Sequence, residues 1–94
     1  MRFKIPSTFE SGGRTVSVSF VDNFDDECVG EWRSNESTIR IQTKGMSKDS
    51  QTQIFFHEAL HAILETYGHS DLSTDEEFVE RISQGIYQLI KTAE

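Results

Sequence analysis

The spacing of the apolar residues changes near the middle of this 94-residue chain, and that change constrains the fold more than any other feature. In the first half, apolar and polar residues alternate, which is the two-residue period of a half-buried strand. In the second half, apolar residues recur at intervals of three and four, which is the period of an amphipathic helix. The pattern predicts an α+β fold in which the strands come first and the helices follow.

The first half contains three or four candidate strands. Arg14–Val21 has the clearest alternation, and a Ser-Gly-Gly turn before it makes residues 5–10 a partner strand. Pro6 would confine that partner to the edge of the sheet, because proline cannot donate a backbone hydrogen bond. A polar turn then separates residues 28–33 from residues 38–43. Two turns between neighbouring strands predict a small antiparallel β-meander.

The first helix of the second half has both a start signal and a stop signal. Ser50, with Gln53 three residues later, is a capping-box pattern, although Ser47 offers a start one turn earlier. Gly68 can adopt the left-handed conformation that commonly ends a helix. Between these signals, the apolar side chains at helical spacing are expected to form the buried stripe: Phe56, Leu60, Ile63 and Tyr67.

A second helix is predicted after a short connection at residues 68–72, with Ser73 or Thr74 as its cap. The acidic residues that follow suit the positive end of a helix. Its inner side is expected to carry Val79, Ile82, Ile86, Leu89 and Ile90. So short a loop predicts two antiparallel helices. Because a chain of this length supports one core, residues 1–94 are predicted to form a single domain.

Composition excludes several classes of function. The net charge of −7 disfavours nucleic-acid binding, which needs clustered Lys and Arg. No apolar run approaches the roughly 20 residues needed to span a membrane. The N-terminal stretch lacks the apolar segment of a signal peptide, and the single cysteine, Cys28, suits a reducing compartment, so a cytoplasmic protein is expected. Cys28 itself is expected to serve in packing.

Residues 57–61 read H-E-A-L-H. Helix positions four apart share one face and lie about 6 Å apart, so His57 and His61 can direct their imidazoles at one ion. Neutral imidazole is a ligand type that Zn²⁺ takes. Glu58 lies about 100° further around the helix, beside the ion, where a general base for an activated water is needed. The motif therefore predicts a zinc site.

The third ligand has several candidate sources. Tyr67 stands where the metzincin pattern has its third histidine, and His69 follows on the loop beyond the helix, so the acidic start of the second helix is favoured. Helical periodicity brings Glu76 nearest to the inner row. Counting outward from the helix hairpin instead places Glu80 opposite His61. Glu80 is thus an alternative ligand, or an acceptor for a histidine N–H.

With H-E-A-L-H on one helix and a glutamate on the next, the chain resembles the zincin metallopeptidases, and more closely the small phage and bacterial members related to ImmA/IrrE-type peptidases. The resemblance covers roughly residues 53–91, with a looser match in the strand-rich half. It implies zinc bound by both motif histidines and a later acidic residue, with the motif glutamate as base. Glu76, with Val79 and Ile82 after it, is similar to the family's later motif; Glu80 stands where an Asn often occurs.

Together these features predict a zinc-dependent metallopeptidase that hydrolyses a peptide or protein substrate through a metal-activated water, with Glu58 as general base. Zn²⁺ is expected on His57, His61 and Glu76. An extended substrate is expected to pair with residues 38–43 as an edge strand. Three aromatic side chains are expected to be structural: Trp32, Tyr67 and Tyr87. The alternative role for Tyr67 or Tyr87 is to donate a hydrogen bond to the developing oxyanion. The alternatives are a zinc-stabilised, non-catalytic binding or structural protein, and a metal-free acidic protein with a basic partner.

Overall fold

The computed structural model describes residues 3–25 and 27–93 and shows a four-stranded sheet followed by helices, which confirms the α+β class. The strands are β1 (Thr8–Ser11), β2 (Arg14–Val21), β3 (Gly30–Arg33) and β4 (Thr38–Gln42). The helices are α1 (Lys48–Thr66), α2 (Ser70–Ser73) and α3 (Glu76–Thr92). The expectation of a cytoplasmic chain uses an N-terminal stretch that includes Met1 and Arg2, which lie outside the described residues.

The sheet is mixed, so the predicted all-antiparallel meander is wrong. The strand order is β1-β2-β4-β3, and β2 runs parallel to β4, with Val18 opposite Ile39. The reason is the loop after β2, which carries the chain past one strand position before β3 begins. β4 then returns into the gap. Parallel neighbours need a crossover of a dozen or more residues, and residues 22–37 provide it.

This topology also decides which strands are edges. β4 lies between β2 and β3, so residues 38–43 are not an edge strand and the predicted pairing of substrate there is wrong. The edges are β1 and β3. β1 begins two residues after Pro6, in agreement with the predicted edge position. β3 is the edge strand that lies beside the later part of α1, where Gly30 approaches Glu58.

The ends of α1 follow local sequence signals. Ser47 is the N-cap, and its hydroxyl accepts a hydrogen bond from the Ser50 N–H at 3.0 Å, so the earlier of the two predicted starts is the one used. At the other end Gly68 has φ of +86°. The His69 N–H then donates to the Leu64 carbonyl at 2.7 Å, a bond that satisfies one of the last carbonyls of the helix.

The buried face of α1 differs from the predicted stripe. Leu60 of the predicted stripe is buried, together with Phe55, Ala59 and Ala62, whereas Ile63 and Tyr67 are 40% and 64% exposed. Phe55, Ala59 and Ala62 lie four and three apart, and two of them are small, so the helix can approach the sheet closely. Phe55 and Ala59 pack in one cluster with three sheet residues: Val16, Ile39 and Ile41. Large apolar side chains do not mark this face in the sequence, because alanine adds little to the hydrophobic periodicity.

The two long helices pack antiparallel, as predicted. Asp49, near the start of α1, contacts Lys91 near the end of α3 at 3.5 Å, while His61, near the end of α1, contacts Glu76 at the start of α3. α2 adds a turn that was not predicted. The cap of α3 is therefore Asp75, which accepts from the Phe78 N–H at 3.1 Å, rather than Ser73 or Thr74. 

The inner row of α3 is also shorter than predicted. Val79 and Ser83 are its buried residues, whereas Ile82, Ile86 and Leu89 are exposed.

Within residues 3–25 and 27–93, no helix combines the length and the apolar character that crossing a bilayer requires.

Candidate metal centre

Three side chains from α1 and α3 converge at one point. One potential ligand atom from each of His57, His61 and Glu76 lies within 4.8 Å of the other two. The Glu76 Oε1 atom lies 3.4 Å from His57 Nε2 and 3.4 Å from His61 Nε2. No second group of three such side chains comes as close together in the described part of the chain. Both motif histidines and the favoured third ligand thus share one site that could hold a metal ion.

The spacing of these atoms fits a tetrahedral ion. Bonds of about 2.0–2.1 Å at tetrahedral angles hold neighbouring ligand atoms about 3.3–3.4 Å apart. The two N–O separations, both 3.4 Å, agree with that spacing. Two imidazole nitrogens and one carboxylate oxygen are ligand types that Zn²⁺ accepts, and three protein ligands leave a fourth position open. The donor set and its geometry therefore fit the zinc ion that the sequence predicts.

Local structure explains the position of Glu76. Because Asp75 caps α3, Glu76 occupies the first helical position, directly after the turn of α2. Val79 and Ser83 follow three and seven residues later and are 0% and 2% exposed, so they fix this face of α3 toward the interior. The Glu76 side chain projects from the rim of that face toward His57 and His61. Helical periodicity predicts Glu76 as a ligand from this same row.

Glu80 lies one turn further along α3 and contacts the other ring nitrogen of His57. The distance from Glu80 Oε1 to His57 Nδ1 is 3.1 Å. A carboxylate oxygen has no proton to give, so His57 Nδ1–H is the donor and the lone pair of Nε2 faces Glu76. The predicted level of Glu80, opposite His61, is wrong by one turn. The extra turn of α2 shifts the register between the two long helices.

His61 is held by a longer chain of hydrogen bonds. Its Nδ1 lies 2.9 Å from the Ser73 hydroxyl, which donates to Glu65 Oε2 at 2.9 Å. The indole N–H of Trp32 donates to Glu65 Oε1 at 3.0 Å. Sequence reasoning missed Ser73 and Glu65 in this role. One signal was present: Glu65 follows His61 by four residues and so lies on the same side of α1.

Glu58 lies half-buried between α1 and β3. Burial raises the pKa of this carboxyl from 4.5 to about 7; the nearby imidazole of His57 opposes the rise, and the carboxylates of Glu76 and Glu31 add to it. A pKa near the working pH suits a group that must take up a proton and then release it. Glu58 thus has the electrostatic setting of a general base beside the converging ligands.

Two clefts meet at Glu58. One, of about 360 Å³, extends past His57 and has Val29, Ile54 and Tyr87 among its lining residues. The other, of about 410 Å³, extends past His61 and is lined in part by Trp32 and Thr74. An elongated molecule could therefore occupy space on both sides of this carboxylate.

The other side chains considered from the sequence are not members of the converging group. His69 is exposed and is not a member of the converging group, and Tyr67 is exposed rather than buried. Tyr87 is half-buried, and its hydroxyl donates to Asp49 near the start of α1. Trp32 packs against the core and also uses its N–H, as described above. Cys28 is exposed, so the expectation that it packs in the interior is wrong.

A scan against models of protein families, a search of curated proteins and a search of solved structures each found no match.

Proposed function

We propose that this protein is a zinc-dependent metallopeptidase. The observation that carries the proposal is the 3.4 Å spacing of Glu76 Oε1 from Nε2 of both His57 and His61, beside a half-buried Glu58. These four residues match the parts of a zincin site in kind: two imidazoles, a carboxylate and a base. The resemblance of H-E-A-L-H to that family supports the same assignment.

Each residue has a defined task in this proposal. His57, His61 and Glu76 would hold a zinc ion, whose Lewis acidity would make a water more acidic and a peptide carbonyl more electrophilic. Glu58 takes the proton from that water as it attacks the carbonyl carbon. Glu58 then returns the proton to the leaving amine nitrogen as the C–N bond breaks. Its position between the two clefts supports a role beside the middle of an extended substrate.

The edge strand β3 is the proposed partner of the substrate backbone. Among the described residues, β3 pairs with β4 on one side and with no strand on the other, so its outer backbone groups are available to another strand. Gly30 of β3 lies against Glu58, and Trp32 lines the cleft beyond it. A peptide added along β3 would pass directly beside the base.

The test compares metal content and peptidase activity in one set of variants. The wild-type chain is expected to contain about one zinc per molecule and to cleave unstructured peptides. Glu58→Gln should keep its zinc and lose turnover by about 100-fold or more, since general acid–base catalysis contributes about 10²–10⁴. Glu77→Gln is the matched control, because Glu77 is exposed and pairs with Arg81 at 3.7 Å. Absence of zinc from the purified protein would overturn the proposal.

The second candidate is a zinc-stabilised protein without catalysis. It is favoured by the small core, in which eight apolar side chains are buried among the described residues, and by ligands that join α1 to α3. Binding free energy would then contribute directly to folding. Three results together would select this candidate. Chelation should lower the melting temperature strongly, no peptide in a diverse library should be cleaved, and Glu58→Gln should bind zinc as the wild type does.

A further inference from the structure

We propose that Glu65 acts through Ser73 as a positioning residue that sets the proton on His61, and that Trp32 holds one oxygen of Glu65. The inference deepens the proposed metal site and rests on it. The three side chains come from β3, α1 and α2, so they tie three elements to one imidazole. Ser73 is 4% exposed, which leaves its hydroxyl dependent on partners within the protein.

The direction of every hydrogen bond in this chain is fixed by chemistry. An indole N–H can only donate, and a carboxylate can only accept, so Trp32 donates to Glu65. The Ser73 hydroxyl has one proton, and it points at the second oxygen of Glu65. Ser73 can then only accept from His61 Nδ1. His61 therefore carries its proton on Nδ1, and the lone pair of Nε2 is available for a metal.

The proton on Nδ1 of His57 depends less on its partner within the protein than the proton on Nδ1 of His61 does. Its partner Glu80 has a 55% exposed side chain, so water can replace the carboxylate. The His61 side chain is only 12% exposed, and its partner is a hydroxyl, which can donate as well as accept. The tautomer of His61 is thus decided by what lies beyond Ser73. That dependence makes Glu65 effective at a distance from the metal site, and it makes Trp32 matter once Glu65 is replaced by an amide.

Replacing Glu65 by Gln should reverse the chain. The Trp32 N–H still needs an acceptor, so the amide oxygen of the Gln side chain must face it, and the amide NH₂ then faces Ser73. Ser73 accepts from that NH₂ and turns its own proton toward His61 Nδ1. The His61 proton must then move to Nε2, where it blocks the metal lone pair. Zinc affinity should fall by about 10–100-fold, as for other groups that orient a metal-binding histidine.

Removing the indole N–H should undo this effect. In a Glu65→Gln, Trp32→Phe double variant, no donor competes for the amide oxygen, so the amide can rotate and accept from Ser73 again. The original tautomer and most of the zinc affinity should return. Trp32→Phe alone should bind zinc nearly as well as the wild type. A simple loss of packing would instead make the double variant worse than either single variant.

The experiment uses the full chain and two readouts. Chelator competition gives the zinc affinity of wild type, both single variants and the double variant. Long-range ¹H–¹⁵N NMR of the metal-free chain at about pH 8, where imidazole is mostly neutral, reports the tautomer of each histidine. We expect His61 to carry its proton on Nδ1 in the wild type and the double variant, and on Nε2 in Glu65→Gln.

Failure of this inference is distinguishable from failure of the proposed function. The tautomer readout needs neither zinc nor a substrate, and His57 serves as an internal control that should stay unchanged. If the metal-free chain unfolds, the zinc affinities of the variants test the inference alone, through the loss in Glu65→Gln and its recovery in the double variant. Ser73→Ala is a further variant, which should weaken zinc binding and make Glu65→Gln silent in its background. An unchanged affinity in Glu65→Gln, or no recovery in the double variant, overturns the inference.

Discussion

A Cβ atom on Gly30 would lie 3.4 Å from the Oε2 atom of Glu58, so the backbone of edge strand β3 runs directly against this carboxylate. The same Cβ would overlap the Cγ2 methyl of Ile54. Only a residue without a side chain permits so close an approach between β3 and α1. The proposed base therefore lies in direct contact with β3, the strand proposed to bind the substrate.

Gly30→Ala should separate strand and helix at this contact. The added methyl overlaps a branched side chain, so we expect a loss of about 1–3 kcal/mol in the free energy of unfolding, together with slower peptide cleavage and retained zinc. Urea unfolding and turnover assays measure both effects. Gly85→Ala is the matched control: no atom lies within 4 Å of its Cβ, and in a helix interior it should gain about 0.5–1 kcal/mol. Equal stability of the two variants would contradict the close packing.

The raised pKa of Glu58 predicts a pH-dependent stability of the metal-free chain. Its carboxyl binds a proton more tightly in the folded state, where the pKa is about 7, than at its ordinary value of 4.5. Protonation of Glu58 therefore stabilises the folded chain. This stabilisation is complete below about pH 4.5 and disappears as the pH rises to about 7. The free energy of unfolding should change by up to about 3 kcal/mol over this range.

Glu58→Gln isolates this effect, because glutamine does not titrate. The variant should resemble the wild type near pH 4.5 and become the more stable of the two by up to about 3 kcal/mol above pH 7. Chemical denaturation with a chelator present, repeated across this range, gives the difference. A constant difference between the two proteins would show that Glu58 titrates at its ordinary pKa.

Three glutamates of α3 should differ in their effect on zinc binding. Glu76→Gln removes a charged ligand and should weaken zinc binding by about 100-fold or more, whereas Glu80→Gln loses only the acceptor for His57 and should weaken it by about 10-fold. Glu77→Gln, one residue from the proposed ligand, should bind as the wild type does. Metal content after dialysis against a weak chelator ranks the three. A larger loss in Glu80→Gln than in Glu76→Gln would exchange their roles.

The two helix caps provide a matched pair of stability variants. Asp75→Ala and Ser47→Ala each remove one side-chain hydrogen bond to a helix N-terminus and should each cost about 1 kcal/mol. Only Asp75 precedes a proposed ligand, so fraying at that end should also displace Glu76 and weaken zinc binding. Thermal melts and zinc titration separate the two effects. Equal zinc affinities in both variants would show that the first turn of α3 holds without its cap.

The sequence predicted the features that depend on short stretches of chain. Ser47, Gly68 and the spacing of His57 and His61 act within one or two turns of helix, so their consequences follow from local geometry. Glu76 was favoured because it falls on the face of a helix whose period was readable. These signals were sufficient to bring the candidate ligands together on two antiparallel helices.

The features that were not predicted depend on contacts between distant segments. The parallel pairing of β2 with β4 depends on where a loop carries the chain, and the loop residues do not encode that path in their pattern. The sheet-facing side of α1 uses Ala59 and Ala62, whose small size suits the sheet but gives a weak hydrophobic signal. The bond from Trp32 to Glu65 joins residues 33 positions apart, which no periodicity can detect.

The parallel pairing of β2 and β4 divides the sheet into two hairpins, β1–β2 and β3–β4, each closed by a short turn. Hairpins with short connections form within microseconds, whereas the seam between β2 and β4 joins residues 21 apart in sequence, such as Val18 and Ile39. We therefore expect the seam to be the slow step of folding. Until it closes, β2 and β4 each expose an unpaired edge, and a nascent chain is most prone to self-association at that stage.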